Sequence, residues 1–86
     1  MKLLAIDIGN TSINFGIFEN NRLVKEFKIP TKEYSLKELK RKMGRVKTDE
    51  AIISSVVPAV CDILGRDIKR LLHKPVYVLG KNITAL

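Results

Sequence analysis

Hydrophobic and polar positions change period along the chain, and each change marks an element. Leu3 to Ile8 is nearly continuous apolar sequence, as expected of a strand buried on both faces. Ile13 to Phe18 then alternates Ile13, Phe15 and Ile17 against Asn14 and Gly16, which predicts a second strand with one better-buried face. Asn20-Asn21 supplies a turn, since asparagine tolerates positive φ. Leu23 to Ile29 returns as a third strand, so the three form an antiparallel meander. Lys25 and Lys28 suit an edge position, where charge discourages unwanted pairing.

Pro30 closes the meander and the period lengthens. Ser35 is a fair N-cap with Glu38 completing a capping box, and Leu36, Leu39 and Met43 fall at helical spacing before Gly44. A helix over Leu36 to Met43 follows. Ala51 to Val57 is apolar except for Ser54 and Ser55, a buried strand running into Pro58, which is well placed in a first helical turn. Val60, Leu64, Ile68, Leu71 and Leu72 predict a second helix from Pro58 to His73, with Gly65 tolerated inside it. Val76 to Leu79 forms a last strand stopped by Gly80. The order β-β-β-α-β-α-β, with right-handed crossovers, places the fourth and fifth strands parallel to the first on the side away from the meander. The predicted fold is α/β, a ribonuclease-H-like mixed five-stranded sheet with two helices. It is also the half-unit of the acetate and sugar kinase, Hsp70 and actin superfamily, a single lobe of an actin-like ATPase fold.

Chemistry concentrates at Asp7-Ile8-Gly9-Asn10-Thr11. This turn follows the first strand at its carboxyl end, where ligands of open α/β sheets bind. Gly9 lets the backbone turn sharply and come close to a ligand. Asn10, Thr11 and Ser12 add side-chain donors to the N–H groups of a turn, a combination that makes anion-binding concavities. Taken alone, an aspartate followed by Gly-Asn is as often a plain turn. Ser54 and Ser55 are better explained as hydrogen-bonded strand residues than as nucleophiles, because no histidine or aspartate partner is in sequence reach. His73 belongs with the terminal carbonyls of the second helix, and Gly16 is expected to admit close helix packing.

Composition narrows the classes. Eighty-six residues make one domain, residues 1–86, near the size at which burial on folding is modest. The net charge of +7 comes mostly from Arg22 to Lys47. A basic face attracts phosphates, nucleic acid included. This segment interleaves no aromatic series, and Tyr34 alone is no stacking platform, which argues for a solvated lysine-rich surface and against nucleic acid. Cys61 is the single cysteine and reads as a small buried side chain. The apolar run at the start is too short for a signal peptide or a membrane span, so a cytoplasmic protein with no membrane contact is expected.

DIGNT at Asp7 to Thr11, Gly16 and Phe18, ISSVVP at Ile53 to Pro58, and VLGKNITAL at Val78 to Leu86 together resemble the amino-terminal half of type III pantothenate kinase. The resemblance covers the whole chain in order. It implies ATP-dependent phosphorylation of pantothenate to 4'-phosphopantothenate, the first step of coenzyme A biosynthesis. It also implies homodimers that need Mg²⁺ and a monovalent cation, potassium or ammonium. By position, Asp7, Ile8, Gly9, Asn10, Thr11, Ser12, Ile13 and Asn14 would form the ATP phosphate loop, with Asp7 orienting the γ-phosphate through Mg²⁺ and its waters. Asn10, Val56 and Val57 would line the pantothenate side. Phosphoryl transfer needs mainly alignment and charge neutralisation, which a rigid strand end can mount.

The resemblance also implies parts that are expected beyond Leu86: the GxDR element with the general base, the cation-holding aspartate and a second phosphate loop. No catalytic residue is therefore assigned within the chain, and the 86 residues alone are expected to be inactive. Lys81-Asn82 stands where the family has Pro-Gly. A non-catalytic module that self-associates, or pairs with a missing second lobe, with weak or no nucleotide binding, stays open. A ribonuclease-H-like nuclease or resolvase would need a cluster of carboxylates, and the fourth strand carries Ser54 and Ser55 where such an acid commonly stands.

Overall fold

The computed structural model describes residues 1–79 and the strand at 84–85. Its elements are β1 (Lys2–Ile8), β2 (Ser12–Glu19), β3 (Arg22–Pro30), a 3-10 turn (Thr31–Glu33), α1 (Leu36–Met43), β4 (Glu50–Ser55), α2 (Pro58–Leu72), β5 (Val76–Leu79) and β6 (Thr84–Ala85). The sheet order is β3-β2-β1-β4-β5-β6. The meander is antiparallel and β4 and β5 run parallel to β1, as the crossover rule requires. The five expected strands are present with β3 at the edge, and the two-residue β6 extends the other side antiparallel to β5. Gly80 and Lys81-Asn82 lie outside the described residues.

Each element has a local cause. Asn20 and Asn21 adopt φ of 51° and 68°, the paired left-handed geometry that matches the twist of a two-residue hairpin. The Ser35 hydroxyl accepts the Glu38 N–H at 3.1 Å, but the Glu38 carboxylate turns to Arg41 instead of closing the box. Gly44 ends α1 at φ 63°, and the Lys25 ammonium donates to the Met43 carbonyl at 3.3 Å. Lys25 also lies 5.8 Å over the Phe27 ring, so this lysine is drawn to the helix C-terminus and is not simply an edge charge. Pro58 opens α2, and His73 closes it at φ 54° with its backbone N–H on the Lys69 carbonyl at 2.9 Å. The backbone of His73 makes the terminal contact that was expected of its ring.

The core lies on one side of the sheet. Leu4, Ile6 and Ile8 of β1, Ile13, Phe15 and Ile17 of β2, and Ile53 of β4 pack against Leu39 and Met43 of α1 and Cys61, Leu64 and Ile68 of α2 in one cluster. Phe15 stacks on its cross-strand partner Phe27 with ring centroids 4.6 Å apart. Because both helices take the same face, β1 is buried on that face only, which corrects the two-sided burial expected from its apolar run. At the lower end of the sheet, the Lys2 N–H donates to the Asp49 carboxylate at 2.7 Å and the Asp49 N–H to the Lys2 carbonyl at 2.8 Å, pinning β1 to the entry of β4. Among the described residues no helix is long and apolar enough to cross a membrane.

Two substitutions test this account. Left-handed backbone costs a non-glycine residue about 1–2 kcal/mol, partly offset by the greater chain entropy of glycine. His73→Gly should therefore stabilise the fold by about 0.5–1 kcal/mol in urea denaturation. The Thr48 hydroxyl is buried with no hydrogen-bond partner among the described residues. Thr48→Val should raise stability by about 1 kcal/mol, since it removes a desolvated donor and keeps the shape.

Candidate functional site

The side of the sheet without helices carries a polar row at the carboxyl end of β1. Strand register sets Lys28, Asn14, Asp7, Ser54 and Leu79 side by side across β3, β2, β1, β4 and β5. The next row on the same face is Glu26, Gly16, Ala5, Ile52 and Tyr77. Ala5 and Gly16 are direct partners, so the centre of this face is low, and a depression of ≈ 370 Å³ opens over Asp7, Asn14, Gly16 and Ser54. A Cβ on Gly16 would meet Leu23 Cδ1 and Phe18 Cε1 at 3.3 Å. Gly16 thus makes room for side chains on the open face and has no part in helix packing.

The loop after β1 is tight. The Gly9 N–H donates to the Ser12 carbonyl at 3.0 Å, and a Cβ on Gly9 would stand 3.2 Å from that oxygen. Gly9 does not use the left-handed region, so its need is close approach and not an unusual turn. The N–H groups of Asn10 and Thr11 donate to no acceptor among the described residues. From the far side, Thr31 donates twice, its N–H to the Thr11 carbonyl at 3.0 Å and its hydroxyl to the Gly9 carbonyl at 2.8 Å.

Other site residues gather around this loop unequally. Asp7 and Asn14 are exposed neighbours, and among the described residues no hydrogen bond or ion pair uses the Asp7 carboxylate. Asn10 and Thr11 are exposed and Ser12 is half-buried. Ile8 and Ile13 are fully buried, so their side chains belong to the core and only their backbone can reach a ligand. The Val56 N–H donates to the Ile8 carbonyl at 3.1 Å, which brings the β4–α2 corner against the loop. Val56 is 68% exposed, while Val57 packs partly on the core. The Ser55 hydroxyl accepts the Val57 N–H at 2.9 Å and donates to the Val57 carbonyl at 3.1 Å, a structural use that accounts for this serine. Ser54 instead faces the open row beside Asp7.

A second tie holds the 3-10 turn. The Tyr34 hydroxyl donates to the Asp67 carboxylate of α2 at 2.7 Å. Burial, that hydrogen bond and the charge of Asp67, in this order, raise the Tyr34 phenol well above its ordinary value. Burial, with a smaller contribution from Asp62, also pushes the Cys61 thiol up, which disfavours a reactive thiolate there. Among the described residues no group of three His, Cys, Asp or Glu side chains could hold a metal ion. Glu26 and Thr31 are not singled out by the sequence, and Lys28 is read from it only as an edge charge. Lys28 and Glu26 were accessible from period-two alternation once β3 is registered on β2; Thr31 carries no local signal.

A helix-free sheet face ending in a tied, donor-rich loop defines the class: a lobe of the actin-like ATPase or ribonuclease-H-like type. Solved structures agree on the fold. A ROK hexokinase from Thermus thermophilus superposes with a TM-score of 0.64 at 21% identity, over 92% of this chain and 33% of its own. A protein with an actin-like ATPase fold from Bacteroides thetaiotaomicron gives 0.64 at 15% identity, over 91% and 32%. RuvC from Thermus thermophilus gives 0.61 at 18% identity, over 93% and 62%. At these identities the likeness speaks to the fold alone.

The family follows from sequence. A family model described as type III pantothenate kinase matches residues 3–86. A type III pantothenate kinase of Citrifermentans bemidjiense is 35% identical over 91 aligned positions, 94% of this chain and 36% of the relative. That of Finegoldia magna is 39% identical over 80 positions, 81% of this chain and 30% of the relative. The chain belongs to the type III pantothenate kinase family, and it spans about a third of the length of these relatives.

The Tyr34 tie has a signature in alkali. An unfolded tyrosine ionises near pH ~10. The folded phenol keeps its proton above that value, so the native state binds more protons there. The stability from this group is complete below about pH 10 and is lost as pH rises through the folded value. Denaturation midpoints from pH 8 to 11 should fall at the alkaline end, and Tyr34→Phe should flatten that fall while lowering stability at neutral pH by about 1 kcal/mol.

Proposed function

We propose that the chain supplies the ATP-phosphate-holding half of a kinase that transfers the γ-phosphoryl group of ATP to the primary hydroxyl of pantothenate, giving 4'-phosphopantothenate at the entry to coenzyme A biosynthesis. The observation that carries this reading is the exposed Asp7 carboxylate beside a loop whose Asn10 and Thr11 N–H groups are unpaired among the described residues. Loop donors of this kind suit phosphate oxygens. Lys28, in the same row, adds positive charge at the rim. Family membership supports ATP and pantothenate as the substrates.

Asp7 fits Mg²⁺. That ion is commonly held by one or two carboxylates together with substrate phosphates and retained waters. When bound, it would neutralise the charge of the phosphates being transferred. The monovalent cation implied by the resemblance finds no cluster of carboxylates among the described residues, and no step is assigned to it. The chain's own contribution is alignment: the rigid end of β1 aims Asp7, the loop N–H groups hold phosphate oxygens, and the exposed Val56 corner offers an apolar wall for the acceptor. The Val56 N–H on the Ile8 carbonyl couples that wall to the loop. This role belongs to a cytoplasmic homodimer.

The second reading is a non-catalytic module that self-associates. Exposed Leu23 and Leu79 on the open face, with Val56 and Ile63 at α2, favour it.

Two measurements test these readings, and the second separates them. A coupled assay with Mg²⁺, K⁺ and high protein should show no pantothenate-dependent turnover by the 86-residue chain, because no general base is assigned within it. An NMR titration with Mg²⁺-ATP should move the amides of Gly9 to Ser12 with millimolar affinity, about 4 kcal/mol, weakened by salt and by Thr11→Ala. Shifts confined to Lys37 to Lys47, with the loop silent, would sink the phosphate-loop reading and favour the second.

A further inference from the structure

We infer that Thr31 is a positioning residue for phosphate binding: it sets the direction in which the loop after β1 presents its N–H groups. The inference rests on the phosphate-loop reading above and adds a residue to it. Its basis is the geometry of the peptide bond. A trans peptide is planar, and its C=O and N–H point in opposite directions. The Gly9 carbonyl and the Asn10 N–H share one such plane, and the Thr11 carbonyl and the Ser12 N–H share another. Thr31 holds both carbonyls, the first through its hydroxyl at 2.8 Å and the second through its backbone N–H at 3.0 Å. With the Gly9 carbonyl drawn toward Thr31, the Asn10 N–H is aimed to the opposite side of the loop, and the second bond fixes the Thr11–Ser12 peptide where the loop enters β2.

The clamp is itself held. Thr31 begins the 3-10 turn directly after β3, and Tyr34, which follows that turn, is tied to Asp67 on α2 at 2.7 Å. Thr31 is half-buried, so its hydroxyl bond to Gly9 competes less with water than an exposed one would. The loop has little other support. Gly9 to Ser12 is the one backbone bond closing it internally among the described residues, and Asn10 and Thr11 are exposed. The side chain of Thr31 therefore supplies one of the few bonds that distinguish a single loop conformation from several. An anion then meets donors already aimed, and does not lose affinity to ordering them.

The test compares the 86-residue chain with Thr31→Val, which keeps the shape and loses the hydroxyl, and Thr31→Ser, which keeps the hydroxyl. Heteronuclear relaxation of Asn10 and Thr11 is read without ligand, and affinity is read by titration with inorganic phosphate and with Mg²⁺-ATP. Thr31→Val should loosen the loop and weaken both probes about tenfold, with strand amides unmoved. Thr31→Ser should restore loop order and affinity to within about twofold of the parent. Equal order and equal affinity in Thr31→Val would overturn the inference. A parent chain that binds neither probe would refute the phosphate-loop reading and, with it, the assignment to phosphate binding. A loop loosened by Thr31→Val would then leave Thr31 a purely structural clamp. Loss of dispersed strand signals in Thr31→Val would move the decision to Thr31→Ser, where weakened binding with an intact fold counts against the role of the hydroxyl.

Discussion

The register of β1 is the constraint on which the other features depend. This strand has partners on both sides, β2 antiparallel and β4 parallel, and its alternation sends Leu4, Ile6 and Ile8 into the core while Leu3, Ala5 and Asp7 face the open side. A slip of one residue would exchange the two sets. It would drive the Asp7 carboxylate among Ile53, Leu64 and their neighbours, at a cost of several kcal/mol even after relaxation, and expose three large side chains worth ~1.5–3 kcal/mol each. The Asp49 pair of hydrogen bonds at one end of β1 and the Gly9 loop at the other hold the same register.

From that register the site follows by elimination of alternatives. With α1 and α2 on one face, the other keeps its row of Lys28, Asn14, Asp7 and Ser54 accessible above the low ground of Ala5 and Gly16. The loop and the β4–α2 corner meet at the carboxyl end of β1, where strand carbonyls would otherwise be left unpaired. The Ile8 carbonyl is satisfied by Val56, and the Gly9 and Thr11 carbonyls by Thr31. With these carbonyls occupied, the Asn10 and Thr11 N–H groups remain without an acceptor among the described residues. Asp7 and, one row away, Glu26 put negative charge on the same open face.

Much of this was legible in the chain. The alternation of Ile13, Phe15 and Ile17, the Asn20-Asn21 turn, the Ser35 cap and the Pro58 start each carry a local signal, and each element formed where that signal lies. The position of Asp7 at a strand end was readable for the same reason. What was not readable depends on the third dimension. Leu3 and Ala5 are apolar, so the run Leu3 to Ile8 gave no hint that one face of β1 is open; that depends on which side both helices take. Gly16 looked like a packing glycine until the face it occupies was known. Ile8 and Ile13 lie inside the loop motif yet point to the core. Thr31 bonds residues far from it in sequence, and His73 uses its backbone where its ring drew attention. The capping box was half right because Arg41 offers Glu38 a charged partner, stronger than the neutral N–H of Ser35.

The meander has a consequence for the order of assembly. β1, β2 and β3 are joined by short turns, and their pairing closes small loops, whereas β1 and β4 must bring Leu4 to Ala51 across two intervening strands and a helix. Closing small loops loses less chain entropy, so the local pairs have the kinetic advantage. Asn20 and Asn21, already suited to the hairpin geometry, shorten that search further. The Gly9 to Ser12 bond and both Thr31 bonds are contained within residues 1–31. The bonds that shape the candidate phosphate loop are thus all local, and none of them crosses to the parallel strands.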